Sequence, residues 1–414
     1  MNAESLENMR LWRTHPLCDV TLVRGEGCTV WDAAGKPYLD LLAGTWCSIL
    51  GHNHPRLGEA INNQISKLTH VGSAFPTEEV ERALEKLGEI VPSKLNRAVF
   101  LNTGSEAVEL SLKMARAATG RDEIVVIEKG YYGATTYAFA LSEAGRNATY
   151  LPDLGVVHRL PAPICRRCPV GQTWPCETFP CLDSLRTLSE EEKGRSAAVM
   201  YEPVMGVGGV IVSPPGYGGE LRKLASQCGA LLIAEEVTSG MGRTGRWFGF
   251  EHDAIVPDIL IVGKAIGGGL PISAVVTTTD VETRCNGILR HVQSHQNDPF
   301  SGRIAATVIS IIQEEGLVAR VAELGEHLLN GLRALQSKRA EIWDVRGKGL
   351  MIGIELDQAL APKGEAIERR LMEAGFISDY QPHTATFRLF PPYVISREET
   401  DRFLKAFERV LDTI

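Results

Sequence analysis

The sequence is short of several features whose absence narrows the field. No apolar run approaches the roughly 20 residues that a membrane-spanning helix needs. The opening stretch MNAESLENMRLWRTHP carries charges throughout, where a signal peptide has an apolar core. An excess of basic residues is missing too: 43 Lys and Arg against 51 Asp and Glu leave a net charge of -8. Such a surface attracts neither nucleic acid nor an anionic membrane. Internal repeats, low-complexity tracts and a disordered-chain composition are also absent. What remains is an ordinary globular chain of 414 residues, 44% apolar, long enough for two domains or for one large domain with a smaller one attached. The expected compartment is the cytoplasm.

Nine cysteines is an odd count. Cys18, Cys28, Cys47, Cys228 and Cys285 stand alone, as buried thiols do in a reducing compartment. Cys165, Cys168, Cys176 and Cys181 cluster in CRRCPVGQTWPCETFPC, whose CxxC start is chemically able to hold zinc or an iron-sulfur cluster. The later spacings fit no zinc ribbon, so free or structural thiols are expected and no metal is assigned.

Apolar residues recur at helical spacing in HPRLGEAINNQISKLTH and in TEEVERALEKLGEIV, where Val80, Leu84 and Leu87 are expected to share a face. Short apolar runs then alternate with helices: RAVFL, a helix from Ser105 to Ala118, EIVVIE, AAVMYE, ALLIAEE, DILIVGK and SAVVTT. Continuous Val, Ile and Leu between helices read as buried strands of a mainly parallel, doubly covered sheet. A long helical stretch follows, then EIWDVRGKGLMIGIEL and the closing helix SREETDRFLKAFERVLDTI, which look like a separate α+β unit. CTVWDAAGKPYLDL reads as a strand, a turn and a strand that join it. The segment from Leu141 to Glu177, rich in Pro and Cys, reads as a long loop.

Three places carry candidate chemistry. LLIAEEVTSG, residues 231–240, ends an apolar run in Glu235 and Glu236, and a desolvated carboxylate without a cation takes up a proton instead. DILIVGKAIGGGLP puts Lys264 past an apolar strand and ahead of Gly267, Gly268 and Gly269, which let the backbone approach a ligand. That lysine is either a surface charge or, at the C-terminal edge of a parallel sheet, a partly desolvated amine able to form a Schiff base. FLNTGSEAVELSLKMARAA holds a strand, a polar turn with Gly104 and a helix opening near Ser105. Its free amides cradle a phosphate, or Ser105 is an ordinary N-cap with Glu106 or Glu109 complementing the dipole. A Schiff-base lysine, a phosphate cradle and an acid at a strand end together are what pyridoxal phosphate requires. The protonated ring nitrogen is then the cation that Glu235 faces.

Long motifs in a fixed order carry a family resemblance. IAEEVTSGMGRTGRWFGFEHDAIVPDILIVGKAIGGGLPISAV resembles the signature of class III (subgroup II) aminotransferases, pyridoxal-phosphate enzymes of fold type I. GHNHP, NTGSEAVELSLKMAR, GYYGATT, EPVMGVGG and FRLFPPYVIS follow that family's order nearly end to end. The resemblance implies an α/β fold, with a large domain built on a mainly parallel seven-stranded sheet and a smaller α+β domain formed by both termini. Residues 1–50 are expected to be the N-terminal part of the small domain, 51–305 the large cofactor-binding domain, and 306–414 the C-terminal small domain. Pyridoxal 5'-phosphate as cofactor, an amino acid and a keto acid as substrates, and a homodimer with shared active sites are implied as well.

Carried over residue by residue, Lys264 matches the lysine that holds the cofactor and shuttles the substrate proton. Gly104 and Ser105 match the phosphate cradle, Tyr131 the aromatic stacked on the pyridine ring, and Arg388 the arginine that holds a substrate carboxylate. Glu235 matches the acid at the ring nitrogen, usually an aspartate, and Glu202 lies at the matching end of another strand. Thr238 stands where a glutamine is common near the ring hydroxyl. Ser294 matches a threonine that the partner subunit donates to the phosphate, with His295 and Gln296 bulkier than usual. Val207 replaces a glutamate that, in members using 2-oxoglutarate, masks the arginine. Arg388 is therefore expected to stand unpaired and to favour an α-amino acid. Trp46 and Tyr132 are expected to line a pocket for a bulky apolar or aromatic side chain, unless Trp46 is simply core. The reaction expected is ping-pong transamination; amino-acid racemisation or epimerisation is the alternative on the same scaffold. Decarboxylation of a quaternary amino acid and a cofactor-free relative stand behind it.

Overall fold

Strands made of unbroken Val, Ile and Leu need cover on both faces, and the chain supplies it with helices. The computed structural model describes Thr14 and residues 18–151, 155, 157–176 and 178–414, so most of the first seventeen residues of the expected 1–50 segment lie outside the described residues. Strands β1 (Leu22–Glu26), β2 (Thr29–Asp32) and β3 (Pro37–Asp40) form an antiparallel meander. Next come β4 (Arg97–Leu101), β5 (Glu123–Ile127), β6 (Val157–Leu160) and β7 (Ser196–Tyr201), then a two-stranded ribbon of β8 (Val204–Met205) and β9 (Ile211–Val212). They are followed by β10 (Leu231–Glu236), β11 (Ile259–Val262) and β12 (Ser273–Thr277). Seven of these make one sheet in the order β4-β12-β11-β10-β7-β5-β6. Only β12 runs against its neighbours, so the C-terminal ends of the other six open on a single edge. That edge is where open α/β sheets bind ligands.

Local chemistry sets the helix limits. Pro55 opens the Pro55–Lys67 helix at a position where its missing N–H costs nothing. The Gly104–Thr119 helix stops at Gly120, which takes the left-handed φ of +69°. In the Glu78–Gly88 helix Ala83 and Leu87 are buried and Val80 half-buried beside them, whereas Leu84 is 41% exposed, one position off the stripe expected of it. The long C-terminal helical stretch is two helices, Pro299–Glu314 and Leu317–Gln336, parted at Gly316 with φ +61°. The division expected at residue 305 thus falls within a helix.

A second sheet takes β13 (Ile342–Lys348), β14 (Met351–Leu356), β16 (Asp379–Gln381) and β17 (Thr386–Leu389) in the order β13-β14-β17-β16. Between them, β15 (Phe376–Ile377) pairs in parallel with β3, Phe376 opposite Leu39, and so joins the N-terminal meander to the C-terminal third. The Arg397–Leu411 helix closes the chain with a reciprocal Ser396–Glu399 cap. Among the described residues no helix is long and apolar enough to cross a membrane.

Candidate active site

Strand alternation gives the two acids of LLIAEEVTSG different neighbours. Glu236 points to one face and accepts from the N–H of Gly249 at 2.7 Å, the N–H of Phe250 at 2.8 Å and the hydroxyl of Ser239 at 2.9 Å. Burial pushes its carboxyl up to about 7 against those three bonds. Glu235 points the other way, into a cavity of about 240 Å³ at the sheet edge. It is 5% exposed, and no Lys or Arg among the described residues reaches ion-pair distance of it. Burial, and next the negative charge of Glu202, hold its carboxyl well above the usual range.

Lys264 enters the same cavity from the end of β11. It begins a single 3-10 turn with φ +42°, a conformation that side-chain-bearing residues adopt rarely and that clusters at functional sites. Its ammonium donates to Thr238 Oγ1 at 2.8 Å, and the hydroxyl expected near a ring oxygen is engaged there instead. Burial lowers the Lys264 pKa, while Glu235, Cys47 and Glu202 pull the other way. The glycines that follow do not face the ligand space: a Cβ on Gly268 would press on Leu57 and Val308, and one on Gly269 on Ser48. The wall at that point is Leu270, Pro271 and Ile272.

The helix opening at Gly104 is capped by Thr103, not Ser105. Thr103 Oγ1 accepts from Glu106 N–H, and Glu106 Oε2 accepts from Thr103 N–H at 2.9 Å, a capping box that TGSE spells out in sequence. Gly104 and Ser105 are left as first-turn residues whose amides have no partner within the helix. The Ser105 hydroxyl accepts from Ala134 N–H at 2.9 Å and so locks the GYYGATT turn onto the helix start. Gly133, with φ +139°, passes so close that a Cβ there would lie 2.6 Å from Ser105 Oγ. Glu109 helps start the Thr136–Leu141 helix, accepting from the Thr135 hydroxyl and two amides.

Glu202, at the end of β7, is buried and accepts from Tyr131 N–H at 2.8 Å and Gly206 N–H at 3.2 Å; burial carries its carboxyl up to about 7. Through those bonds it positions the Tyr131 backbone, and Tyr131 lines the cavity. Tyr132 touches the cavity wall, but its side chain is 1% exposed and its hydroxyl bonds back to Ile127. It is core rather than a free pocket wall.

Trp46 stacks on Phe390 with centroids 4.4 Å apart, and Lys264 Nζ and Arg388 Cζ stand 4.9 and 4.8 Å from its ring. One indole therefore links the amine to the guanidinium. Arg388 is not unpaired, contrary to the expectation drawn from Val207. The antiparallel register sets Asp379 of β16 directly opposite Arg388 of β17, and Asp379 Oδ2 accepts from Arg388 Nε at 2.6 Å. Arg388 Nη1 is nevertheless buried with no partner. Val207 lies in the wall between the first cavity and an adjoining one of about 310 Å³, lined also by Lys129, Glu143 and His383. Ser294 is exposed and lies outside the cavity wall of its own chain. The four clustered cysteines carry free thiols, those of Cys165 and Cys181 pushed up to about 11 by burial.

The sequence profile described as Aminotransferase class-III matches residues 11–411. The chain belongs to the class-III aminotransferase family. This class-III aminotransferase is 34% identical to the acetylornithine aminotransferase of Mycobacterium leprae, over 95% of its own length and 91% of that protein's. It is 33% identical to the leucine/methionine racemase of Thermococcus litoralis, over 95% and 90% of the two chains. An amine transaminase structure from an uncultivated Pseudomonas species, in the PLP-bound form, superposes with a TM-score of 0.90 at 27% identity, covering 98% of this chain and 99% of that one.

As a fold type I class-III aminotransferase, the enzyme takes pyridoxal phosphate as its cofactor, and the residues present fit it. Glu235 is a buried carboxylate in want of a cation. Lys264 is a buried amine driven toward its neutral form, and Gly104 and Ser105 have first-turn amides without helical partners in the cavity wall, where a Cβ on Gly133 would crowd Ser105. Thr103 and Asp379 escaped sequence reasoning for different reasons. The first had a readable signal in its capping box. The second gives none, because only strand register sets it against Arg388.

Proposed function

We propose that this enzyme transfers the amino group of an α-amino acid to a keto acid by a ping-pong mechanism, as a cytoplasmic homodimer whose active sites are shared between subunits. The domain division at residues 50 and 305 belongs to the same reading. The observation that carries the choice of an α-amino acid is the Arg388 side chain, buried, with Nη1 unpartnered and sharing one indole with Lys264. A carboxylate taken up there lies close to the carbon that Lys264 deprotonates, as an α-carboxylate does and a remote one does not.

Pyridoxal phosphate supplies the carbonyl that takes the substrate amine and the ring that accepts electrons from the α-carbon. The chain's own residues do the rest. The amides of Gly104 and Ser105 would hold the phosphate, and Ser294 of the partner subunit would be a further donor. Tyr131, in the cavity wall, would cover the ring, and Glu235 would be the counter-charge of its protonated nitrogen. Lys264 Nζ, whose pKa burial lowers, accepts the α-proton as the neutral amine and redelivers it, with Thr238 Oγ1 as its resting partner. Trp46 and Arg388 orient the carboxylate. Tyr132, tied back to Ile127, supports no aromatic side-chain pocket. The adjoining cavity beyond Val207, with Lys129 and His383 in its wall, favours a longer side chain with a polar end.

Asp379 tempers Arg388. Replacing it with asparagine keeps the size and one acceptor while removing a charge 2.6 Å from the guanidinium. The expected result is a KM for α-amino acids lower by about tenfold, worth about 1.4 kcal/mol, with poorer turnover of amines lacking a carboxylate. Steady-state kinetics on both substrate types checks it, and an unchanged KM argues against Arg388 as the carboxylate anchor.

The deciding experiment mixes cofactor-loaded enzyme with single L- and D-amino acids in heavy water without keto acid, following the cofactor spectrum and α-deuterium together. Conversion to pyridoxamine phosphate with release of a keto acid establishes the half-reaction. Deuterium incorporation with loss of optical activity and no keto acid makes racemisation correct instead.

A further inference from the structure

Two histidines and an aspartate that catalysis does not use meet where the Pro299–Glu314 helix begins. His70, in the connection between the Pro55–Lys67 and Glu78–Gly88 helices, places Nδ1 2.7 Å from Asp298 Oδ2. His295, in the turn before the helix, places its own Nδ1 2.7 Å from the same oxygen. The three candidate ligand atoms lie within 4.8 Å of one another, and the imidazole rings are tilted by 47° with centroids 4.5 Å apart.

Two further observations separate this group from an ordinary hydrogen-bonded triad. Asp298 sits at the N-cap position yet makes no side-chain cap bond, although an aspartate there normally accepts from a first-turn amide. It is 3% exposed, and its second oxygen, Oδ1, is buried without a partner. A buried carboxylate that forgoes its cap and leaves an oxygen unsatisfied is short of positive charge. The turn that presents it is fixed: Asn297 N–H donates to Phe100 O at 3.0 Å, and Phe100 N–H donates to Asn297 Oδ1 at 2.9 Å. His295 and Asp298 are therefore held against β4.

We propose that His70, His295 and Asp298 form a site for a divalent transition-metal ion of the zinc type. Two imidazole nitrogens and one carboxylate oxygen supply three ligands, and water completes the tetrahedron. On binding, each imidazole offers the Nδ1 lone pair and keeps its proton on Nε2, any surplus proton passing to solvent. The carboxylate exchanges its two hydrogen bonds for the metal. The ion ties the connection at His70 to the turn that begins with Ser294, and the site stands independently of the substrate assigned above.

The test uses the full-length, cofactor-loaded protein, dialysed first against a chelator and then against zinc sulfate, with bound zinc per chain measured by plasma mass spectrometry. Three variants accompany the wild type: His295→Ala, whose side chain is 56% exposed, so that folding does not depend on it; Asp298→Asn; and the double variant Cys165→Ser, Cys168→Ser. The expected result is one zinc equivalent per chain that His295→Ala loses and the cysteine variant retains, with X-ray absorption showing only nitrogen and oxygen neighbours for that ion. If Asp298→Asn fails to fold, His295→Ala decides alone. Zinc content equal in wild type and His295→Ala, zinc lost only with the cysteines, or no zinc retained by the wild type each overturns the proposal.

Discussion

Replacing Lys264 with alanine is expected to lower kcat by about 10⁴-fold, the upper end of the range for loss of a positioned acid-base group. The other candidates for the role are poor bases. The Tyr131 phenol is raised by burial and by Glu235, so it keeps its proton. The Cys47 thiol is likewise raised by burial, and Glu202 already accepts two amides. Of these groups Lys264 alone is shifted by burial toward the neutral amine that can take an α-proton. Alanine also removes a buried amine whose single hydrogen bond is to Thr238, and it keeps a side chain at a φ of +42° that the wild type already tolerates. The melting temperature should therefore hold while turnover disappears. Absorbance would show cofactor bound without its covalent link, and added small amines would restore part of the rate. Wild-type turnover in this variant would remove Lys264 from the mechanism.

How far the sequence discloses the molecule depends on where each signal is stored. The six buried strands were readable because burial on both faces writes an unbroken apolar run, and each of RAVFL, EIVVIE, AAVMYE, ALLIAEE, DILIVGK and SAVVTT lies on a strand of the large sheet. The seventh, β6, reads VHRL; it pairs with β5 alone at the sheet edge and is only partly buried, so nothing in its composition marks it. Glu235 and Glu236 show the same limit within a site. Sequence places two acids at a strand end, but the pleat decides that one meets three donors and the other an open cavity. Arg388 shows it most sharply. The residue at 207 argued for an unpaired guanidinium, and a register on another sheet supplied Asp379 from nine positions upstream. Contacts along one strand or one helix turn are written in the local sequence, whereas contacts across strands are written only in the fold.

Glu235→Gln should trade activity for stability, and the pH dependence separates the two effects. With its charge gone, the side chain no longer favours a protonated ring nitrogen, and kcat is expected to fall by about 10²- to 10³-fold, the cost of removing one preorganised electrostatic contact. In the cofactor-free protein the sign is opposite. Glu235 holds its proton in the folded state to a higher pH than in the unfolded chain, because burial and Glu202 disfavour its charge. The folded state then binds more protons than the unfolded state above the ordinary carboxylate range, so wild-type stability falls as pH rises through that window. Glutamine never ionises and escapes that fall. The cofactor-free variant should melt above the cofactor-free wild type at about pH 8 and level with it at about pH 3, where the wild-type carboxyl is protonated in both states. Thermal melts of both proteins across that pH range, beside kcat of the cofactor-loaded forms, check the pair of outcomes. A variant less stable than wild type at every pH would mean that Glu235 is held by a partner in the fold, and that its carboxylate is not kept in reserve for a cation.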